Sequence, residues 1–283
     1  KTDPAFSARQ QFYWQGQQYP YGNGGRAVDY LAALCDPELP SAPPTELARA
    51  FPGFGSILRD TWTDPKASYV AHRNGYFFMH YGQDNNEVIY FAKGAPLCMD
   101  FGHRGAAAQE VITMWKPDYH TTVSFSLANS SKQWVVSGGT PEESTRAQHV
   151  ISLPRVMDYS AGNSYGDGGQ INSRRVALVK SDDPMGATYI IMRDVTQGGG
   201  PGQEFFWNLW CLSTGVETNG AVAHFPGQLG VDLDVHLLAP ANSQFVKDHF
   251  RYEQWVAPWW GLGKFAEEQY GIHVRKQGQA GDF

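Results

Sequence analysis

The chain is short of positive charge: its 283 residues carry 22 Lys and Arg against 28 Asp and Glu, a formal net charge of −6. That balance argues against nucleic acid as a partner, because phosphate binding needs clustered Lys and Arg. Cysteine is scarce as well. Cys35, Cys98 and Cys211 form no CxxC pair. The odd count fits buried free thiols better than a disulfide framework, with one bridge plus one free thiol as the other arrangement. No apolar run approaches the roughly 20 residues of a membrane-spanning helix. The chain also lacks the Gly-x-Ser-x-Gly elbow of serine hydrolases, a phosphate-cradling glycine loop opening a helix, and any solenoid-type repeat. No leader peptide is visible, which excludes nothing in a chain that starts at Lys1 and can be a processed or excised piece.

What is present falls into two parts. In residues 1–50, Val28, Leu31, Ala32 and Cys35 recur at helical spacing. Asp36-Pro37 ends that helix, since a residue before proline avoids the helical region. A proline-rich connector follows from Leu39 to Pro44, and Thr45–Ala50 is expected to add one short helical turn. This part reads as the tail of a helical domain whose body is absent. From residue 51 to 283 the pattern changes to short alternating or apolar runs broken by Gly, Pro, Asn and Asp. Such frequent strands without helical periods predict antiparallel sheets packed face to face. The segments 160–173 and 197–202 are expected to be loops at sheet ends. The C-terminal Lys276–Phe283 has no clear closing element, so the natural chain is expected to continue.

The most informative stretch runs from His80 to Gly102. His80, Asp84, Asn85 and Asn86 precede the apolar run Val88–Ala92; Lys93-Gly94 makes a turn; a second run, Pro96–Met99, delivers Asp100. Two strands joined by a tight turn return Asp100 toward the polar cluster. Asp84, Asn85 and Asn86 are turn formers that bond their own backbone. Arg174 and Arg175 open a strand, one facing inward and one outward. A buried arginine there needs a carboxylate, and Asp194 in the next strand is the natural partner. In 204–212, Phe206, Asn208 and Trp210 share one face, with Phe205, Trp207 and Leu209 on the other, which marks a strand buried between layers. Trp259-Trp260, beside Pro258 in a loop, suit exposed contact with a ligand.

The hairpin resembles that of the heparinase II/III-like polysaccharide lyases, in their C-terminal β-sandwich. That pattern begins His-x-His-x-Asp-x-(Gly or Asn), passes a Gly-x-Pro turn and ends in Asp-x-Gly. His80, Asp84, Asn86, Gly94, Pro96, Asp100 and Gly102 fall on it, while Gly82 replaces the second histidine. Phe54–Asp60, His120-Thr-Thr-Val and the pair Arg174–Lys180 and Tyr189–Asp194 resemble further strands in the family's order, over roughly residues 50 to 260. The resemblance implies a large, supersandwich-like antiparallel two-sheet β-sandwich over 51–283, with a short helical N-terminal segment left from an α/α-toroid domain. It also implies an acidic polysaccharide as substrate and a periplasmic or secreted location.

Elimination from a uronate polymer needs a base for the proton beside the carboxylate, neutralisation of that carboxylate, and an acid for the leaving oxygen. The resemblance gives His80 the acid/base work, for which histidine's pKa is suited. Asp84 and Asn86 are implied to shape the hairpin. The basic residues Arg59, Arg73, Lys93 and Arg104 lie around it in sequence, and Arg73, Lys93 and Arg104, with Trp259 and Trp260, are the candidate substrate contacts. The family's zinc would be held by the second motif histidine, the strand-end aspartate and a later histidine. Asp100 and His120 match two positions, Gly82 empties the first, and His103 or, more remotely, His72 are the possible substitutes. Two protein ligands make a poor zinc site, so Asp100 and His120 are expected to bond to each other or to the backbone instead. The alternative function is a non-catalytic carbohydrate-binding or structural sandwich. A glycoside hydrolase, a weaker third reading, needs two carboxylates flanking the bond, and the motif region offers Asp84 and Asp100 only 16 residues apart on the hairpin.

Overall fold

A computed structural model of the chain describes residues 4, 8, 40–51, 54–74, 84–99, 117–125, 149–166, 169–183, 185–255, 264–277 and 281–283, without the side chains of 252–267. The chain divides into two compact units. The first joins residues 1–46 with 253–265; the second comprises 47–252 and 266–283. In the first, the Ala42 amide donates to the Ala8 carbonyl at 3.2 Å. The expected helix over 26–35 lies outside the described residues.

The strands, in chain order, begin with β1 (Ala48–Phe51), β2 (Gly55–Arg59), β3 (Tyr69–Arg73), β4 (Glu87–Ala92), β5 (Ala95–Cys98) and β6 (Val123–Phe125). Next come β7 (His149–Leu153), β8 (Met157–Tyr165), β9 (Ile171–Val179), β10 (Tyr189–Gln197) and β11 (Glu204–Cys211). The last are β12 (Glu217–Asn219), β13 (Val222–Phe225), β14 (Leu233–His236), β15 (Val246–Trp255), β16 (Lys264–Gln277) and β17 (Gly281–Asp282). They form sheets of order β1-β2-β3-β4-β5, β17-β10-β9-β8-β7, β15-β16-β11-β6 and β12-β13-β14. Every strand pair with a recorded register is antiparallel. In the second unit the only helical element among the described residues is the 3-10 turn Pro117–Tyr119. No helix among the described residues is long and apolar enough to cross a membrane.

The first two sheets pack face to face. Side chains meet between β2 and β8, where Ser56 and Ser160 share a hydrogen bond and the Arg59 amide donates to Asp158 Oδ2 at 3.2 Å. The fold is thus the expected antiparallel sandwich. Alternation produces the inner faces: in β4, Val88, Tyr90 and Ala92 are buried while Ile89 and Phe91 are partly exposed. These residues join Leu58, Val70, Val176 and Leu178 in one apolar core. β11 is buried on both sides: Phe205, Trp207 and Leu209 enter that core, and Trp210 packs with Tyr119 and Phe250 on the other face.

The β4–β5 hairpin closes through Lys93 (φ 54°) and Gly94 (φ 83°). Two successive left-handed residues give the turn whose twist matches its strands. Two expectations fail. Thr45–Ala50 makes no helical turn: residues 48–51 form β1, pairing Ala48 with Leu58 and Phe51 with Gly55. Too short to nucleate a helix, the segment gains more from the open edge of β2. Nor is 160–173 a loop. β8 runs to Tyr165 and pairs with β9 from Met157↔Val179 through Tyr165↔Ile171, because its small residues Ser160, Gly162 and Ser164 line a buried inner face.

Candidate functional site

Strands β3 and β4 set the frame: Arg73 pairs with Glu87 and His72 with Val88. Between their ends runs the segment 75–83, which carries His80 and lies outside the described residues. The chain on both sides of it is fixed by buried polar groups. Asn74, on the β3 side, donates to the Asn163 carbonyl at 3.0 Å and to Asn86 Oδ1. That approach depends on Gly162, where a Cβ would lie 2.2 Å from the Asn74 side chain. Asn86, on the β4 side, takes the left-handed conformation (φ 60°) that asparagine tolerates. Its Oδ1 also accepts from His72 Nε2 (3.2 Å), and its Nδ2 donates to the Asn172 carbonyl (3.0 Å) and Ser164 Oγ (3.3 Å).

Arg174 completes this layer. Fully buried, it donates through Nη1 to the carbonyls of Asn86 (2.7 Å) and Thr121 (2.6 Å). Its Nε and Nη2 reach the two oxygens of Asp194 at 2.8 and 2.9 Å. The expected Arg174–Asp194 pair is therefore present, with Arg175 on the exposed face. Burial, then the Arg174 charge, lowers the His72 pKa to about 3. The ring is therefore neutral. Since the amide oxygen of Asn86 can only accept, Nε2 carries the proton and Nδ1 accepts from Ser160 Oγ at 2.8 Å. His72 is a structural bridge between sheets.

Beside this hub lies a charged cluster. Arg73 Nη1 pairs with Asp84 Oδ2, and His120 Nδ1 lies 3.2 Å from Glu87 Oε1. Asp84, Glu87 and His120 are all about 98% buried. Burial, then the Glu87 charge, pushes the Asp84 pKa up to about 6, against the pull of Arg73 and His120. The group can therefore take up or release a proton near neutrality. The turn 118–122 that carries His120 is clamped by Thr122 Oγ1 to the Asn85 carbonyl (2.6 Å), by Thr121 to Arg174, and by the Asn208 amide to the Thr122 carbonyl (2.9 Å).

The structure thus brings Arg73, Asp84, Asn86 and His120 together. Lys93 stands just past the opposite end of β4, about seven residues from Asn86 or roughly 24 Å away at strand rise. His80, Gly82, Asp100, His103, Arg104, Trp259 and Trp260 lie outside the described residues. Of the zinc donor set implied by resemblance, Gly82 offers no side-chain donor, His120 Nδ1 faces Glu87, and Asp100 and His103 lie outside the described residues. His72 is engaged by Ser160 and Asn86. Among the described residues no three His, Cys, Asp or Glu side chains converge as a metal site.

Sequence reasoning missed two clusters. His273, opposite Asn208 in the β11–β16 register, lies 2.8 Å from Asn208 Oδ1 and 3.4 Å from Asp248 Oδ2, with its ring edge against Trp210. Alternation in 204–212 gave the face of Asn208 and Trp210 but not its partner strand. At the far end of β4, Arg59 lies over Trp62 and Tyr69 beside a recess of about 210 Å³. Only the register Arg59↔Tyr69, invisible in the sequence, brings those groups together.

No family model and no curated protein matches the chain. Solved structures do. The heparan sulfate lyase HepC from Pedobacter heparinus matches over 100% of this chain and 41% of its own, at 14% identity and a TM-score of 0.66. A heparinase III structure matches over 83% of this chain and 35% of its own, at 14% identity and a TM-score of 0.56. Another heparinase III covers 98% and 42%, at 15% identity and a TM-score of 0.56. The chain has the fold of part of these lyases and spans about two fifths of their length or less.

Proposed function

We propose that the chain is the β-sandwich portion of a polysaccharide lyase that cleaves a uronate-containing polysaccharide by β-elimination, with His80 as an acid/base group. The observation that carries this reading is the anchoring of the residues on either side of 75–83. These two flanks end on Asn74 and on Asp84–Asn86, which are tied into one buried network reaching both sheets. A reactive group needs that kind of support to be held in register. The motif residues His80, Asp84, Asn86, Gly94 and Pro96 keep their order, and the fold likeness to heparan sulfate lyases supports the same reaction class.

In the proposed reaction a base takes the proton beside the uronate carboxylate, the electron pair forms the ring double bond, and the linked oxygen leaves with a proton from an acid. Arg73 is partly exposed and, once relieved by Asp84 protonation, can turn toward an anionic sugar. Lys93 then contacts the same polymer only if the chain runs along β4. Arg104, Trp259 and Trp260 remain proposed substrate contacts. The remaining catalytic groups, a tyrosine and an Asn or His for the carboxylate, belong to a helical domain of the longer chain, in a periplasmic or secreted protein.

The test is the parent protein incubated with a panel of uronans, read by absorbance of the unsaturated product. Product from at least one polymer is expected, with little or none from residues 1–283 alone. Binding without product in the parent would leave the non-catalytic carbohydrate-binding module in its place.

A further inference from the structure

Cys98 closes β5 and Cys211 closes β11, strands of two different sheets. The sheets meet there, where the Leu212 amide donates to the Leu97 carbonyl at 3.0 Å. Both cysteines are 1% exposed, in the same apolar core as Leu97, Leu209 and Ile272. Their sulfurs lie 3.6 Å apart.

We infer that Cys98 and Cys211 form a disulfide that staples the first sheet to the third across 113 positions of chain. A disulfide requires sulfurs about 2.05 Å apart, so the two must approach by roughly 1.5 Å, within the range of small side-chain rotations.

The chemistry needs a disulfide donor, of the class of oxidised glutathione or an oxidised protein dithiol. One cysteine thiolate attacks a donor sulfur and releases the first donor thiol. The second thiolate attacks the protein sulfur of that mixed disulfide and releases the second. Two protons and two electrons leave the chain, and the donor is reduced to two thiols. Burial pushes the Cys211 thiol up, so exchange in the closed core is slow. The bond therefore forms while the chain folds and is shielded afterwards. Cys35, the third cysteine, takes no part.

The 283-residue chain carrying Cys35→Ser is refolded in a mixture of oxidised and reduced glutathione, alkylated, digested without reductant and examined by mass spectrometry. A peptide pair joined through Cys98 and Cys211, two hydrogens lighter than its parts, is expected. The melting temperature should exceed that of protein refolded in reductant by roughly 5–10 °C, the scale expected for closing so long a loop in a domain of this size. Cys98→Ser and Cys211→Ser should each abolish the linked peptide and the reductant-dependent shift. Folded protein with both cysteines alkylated overturns the inference, as does a linked peptide with an unchanged melting temperature.

Discussion

Arg174 and Asp194 meet through two parallel hydrogen bonds of 2.8 and 2.9 Å between neighbouring strands β9 and β10, both fully buried. The remaining donor atom of the guanidinium crosses to the Asn86 and Thr121 carbonyls, so one side chain ties the second sheet to the turns that flank the candidate site. Asn172 Nδ2 adds a further donor to Asp194 at 3.0 Å. A buried ion pair need not raise stability over an apolar pair. What it does here is fix position: Asn86 and the 118–122 turn acquire one geometry.

Removing one partner should therefore cost far more than removing both. Asp194→Ala leaves a buried guanidinium uncompensated and should destabilise the chain by about 3–5 kcal/mol. Arg174→Met with Asp194→Leu should recover a large part of that loss. Urea unfolding of the three variants checks this. A double variant no more stable than Asp194→Ala would show that the Arg174 links to Asn86 and Thr121, rather than the ion pair, dominate.

His72 and Asp84 should give opposite pH dependences. The His72 pKa falls from 6.5 unfolded to about 3 folded. Its stability contribution is complete above pH 6.5 and is lost as pH falls toward 3. The Asp84 pKa rises from 3.8 unfolded to about 6 folded. Its contribution is present below pH 4 and is lost as pH rises toward 6. Between pH 4 and 6 the slopes oppose, each on the order of 1 kcal/mol per pH unit. Relative to the unmodified chain, His72→Gln should lose stability as pH rises through that window, and Asp84→Asn should gain it. Denaturant midpoints at pH 4, 5 and 6 decide, and slopes of the same sign in both variants would sink the account.

Much of this arrangement could be read in the sequence because its signals are local. Lys93-Gly94 marked the hairpin turn, alternation in 87–92 gave the buried face, and a charged residue at an inward position of β9 demanded the carboxylate that Asp194 supplies. Asn86 was legible only through motif order, and its five hydrogen bonds join partners up to 88 positions apart. The same distance problem hid Glu87. His120 Nδ1 faces Glu87, 33 positions away, because the 117–122 turn docks on the start of β4; the expected bond to Asp100 lies outside the described residues. β1 and β8 were missed since edge pairing and small-residue strands carry weak periodicity, and tertiary pairing overrode local propensity.

Zinc content follows from the donors. With Gly82 in the first ligand position and His120 Nδ1 directed to Glu87, purified protein should hold well below one zinc per chain by elemental analysis. Stoichiometric zinc that is lost on His103→Ala would show that His103 had replaced the missing ligand, and the His120–Glu87 geometry would then have to differ in the loaded protein.

His80 and Asn86 should separate chemistry from architecture in the parent protein. If His80 moves a proton in the elimination, His80→Ala should lower turnover by about two to four orders of magnitude, the usual range for losing such a group. Substrate affinity should fall less, since the imidazole acts on the transition state rather than on ground-state binding. Asn86→Ala has the other signature. It strips side-chain partners from His72, Asn74, Ser164 and the Asn172 carbonyl at once and places alanine in a left-handed conformation. Stability should drop by about 3 kcal/mol or more, with activity falling only as the folded fraction falls. Steady-state kinetics and thermal melts on both variants distinguish the two. Full activity in His80→Ala would remove the acid/base role from the hairpin. The well-anchored flanks of the 75–83 segment would then serve to present a carbohydrate-binding loop.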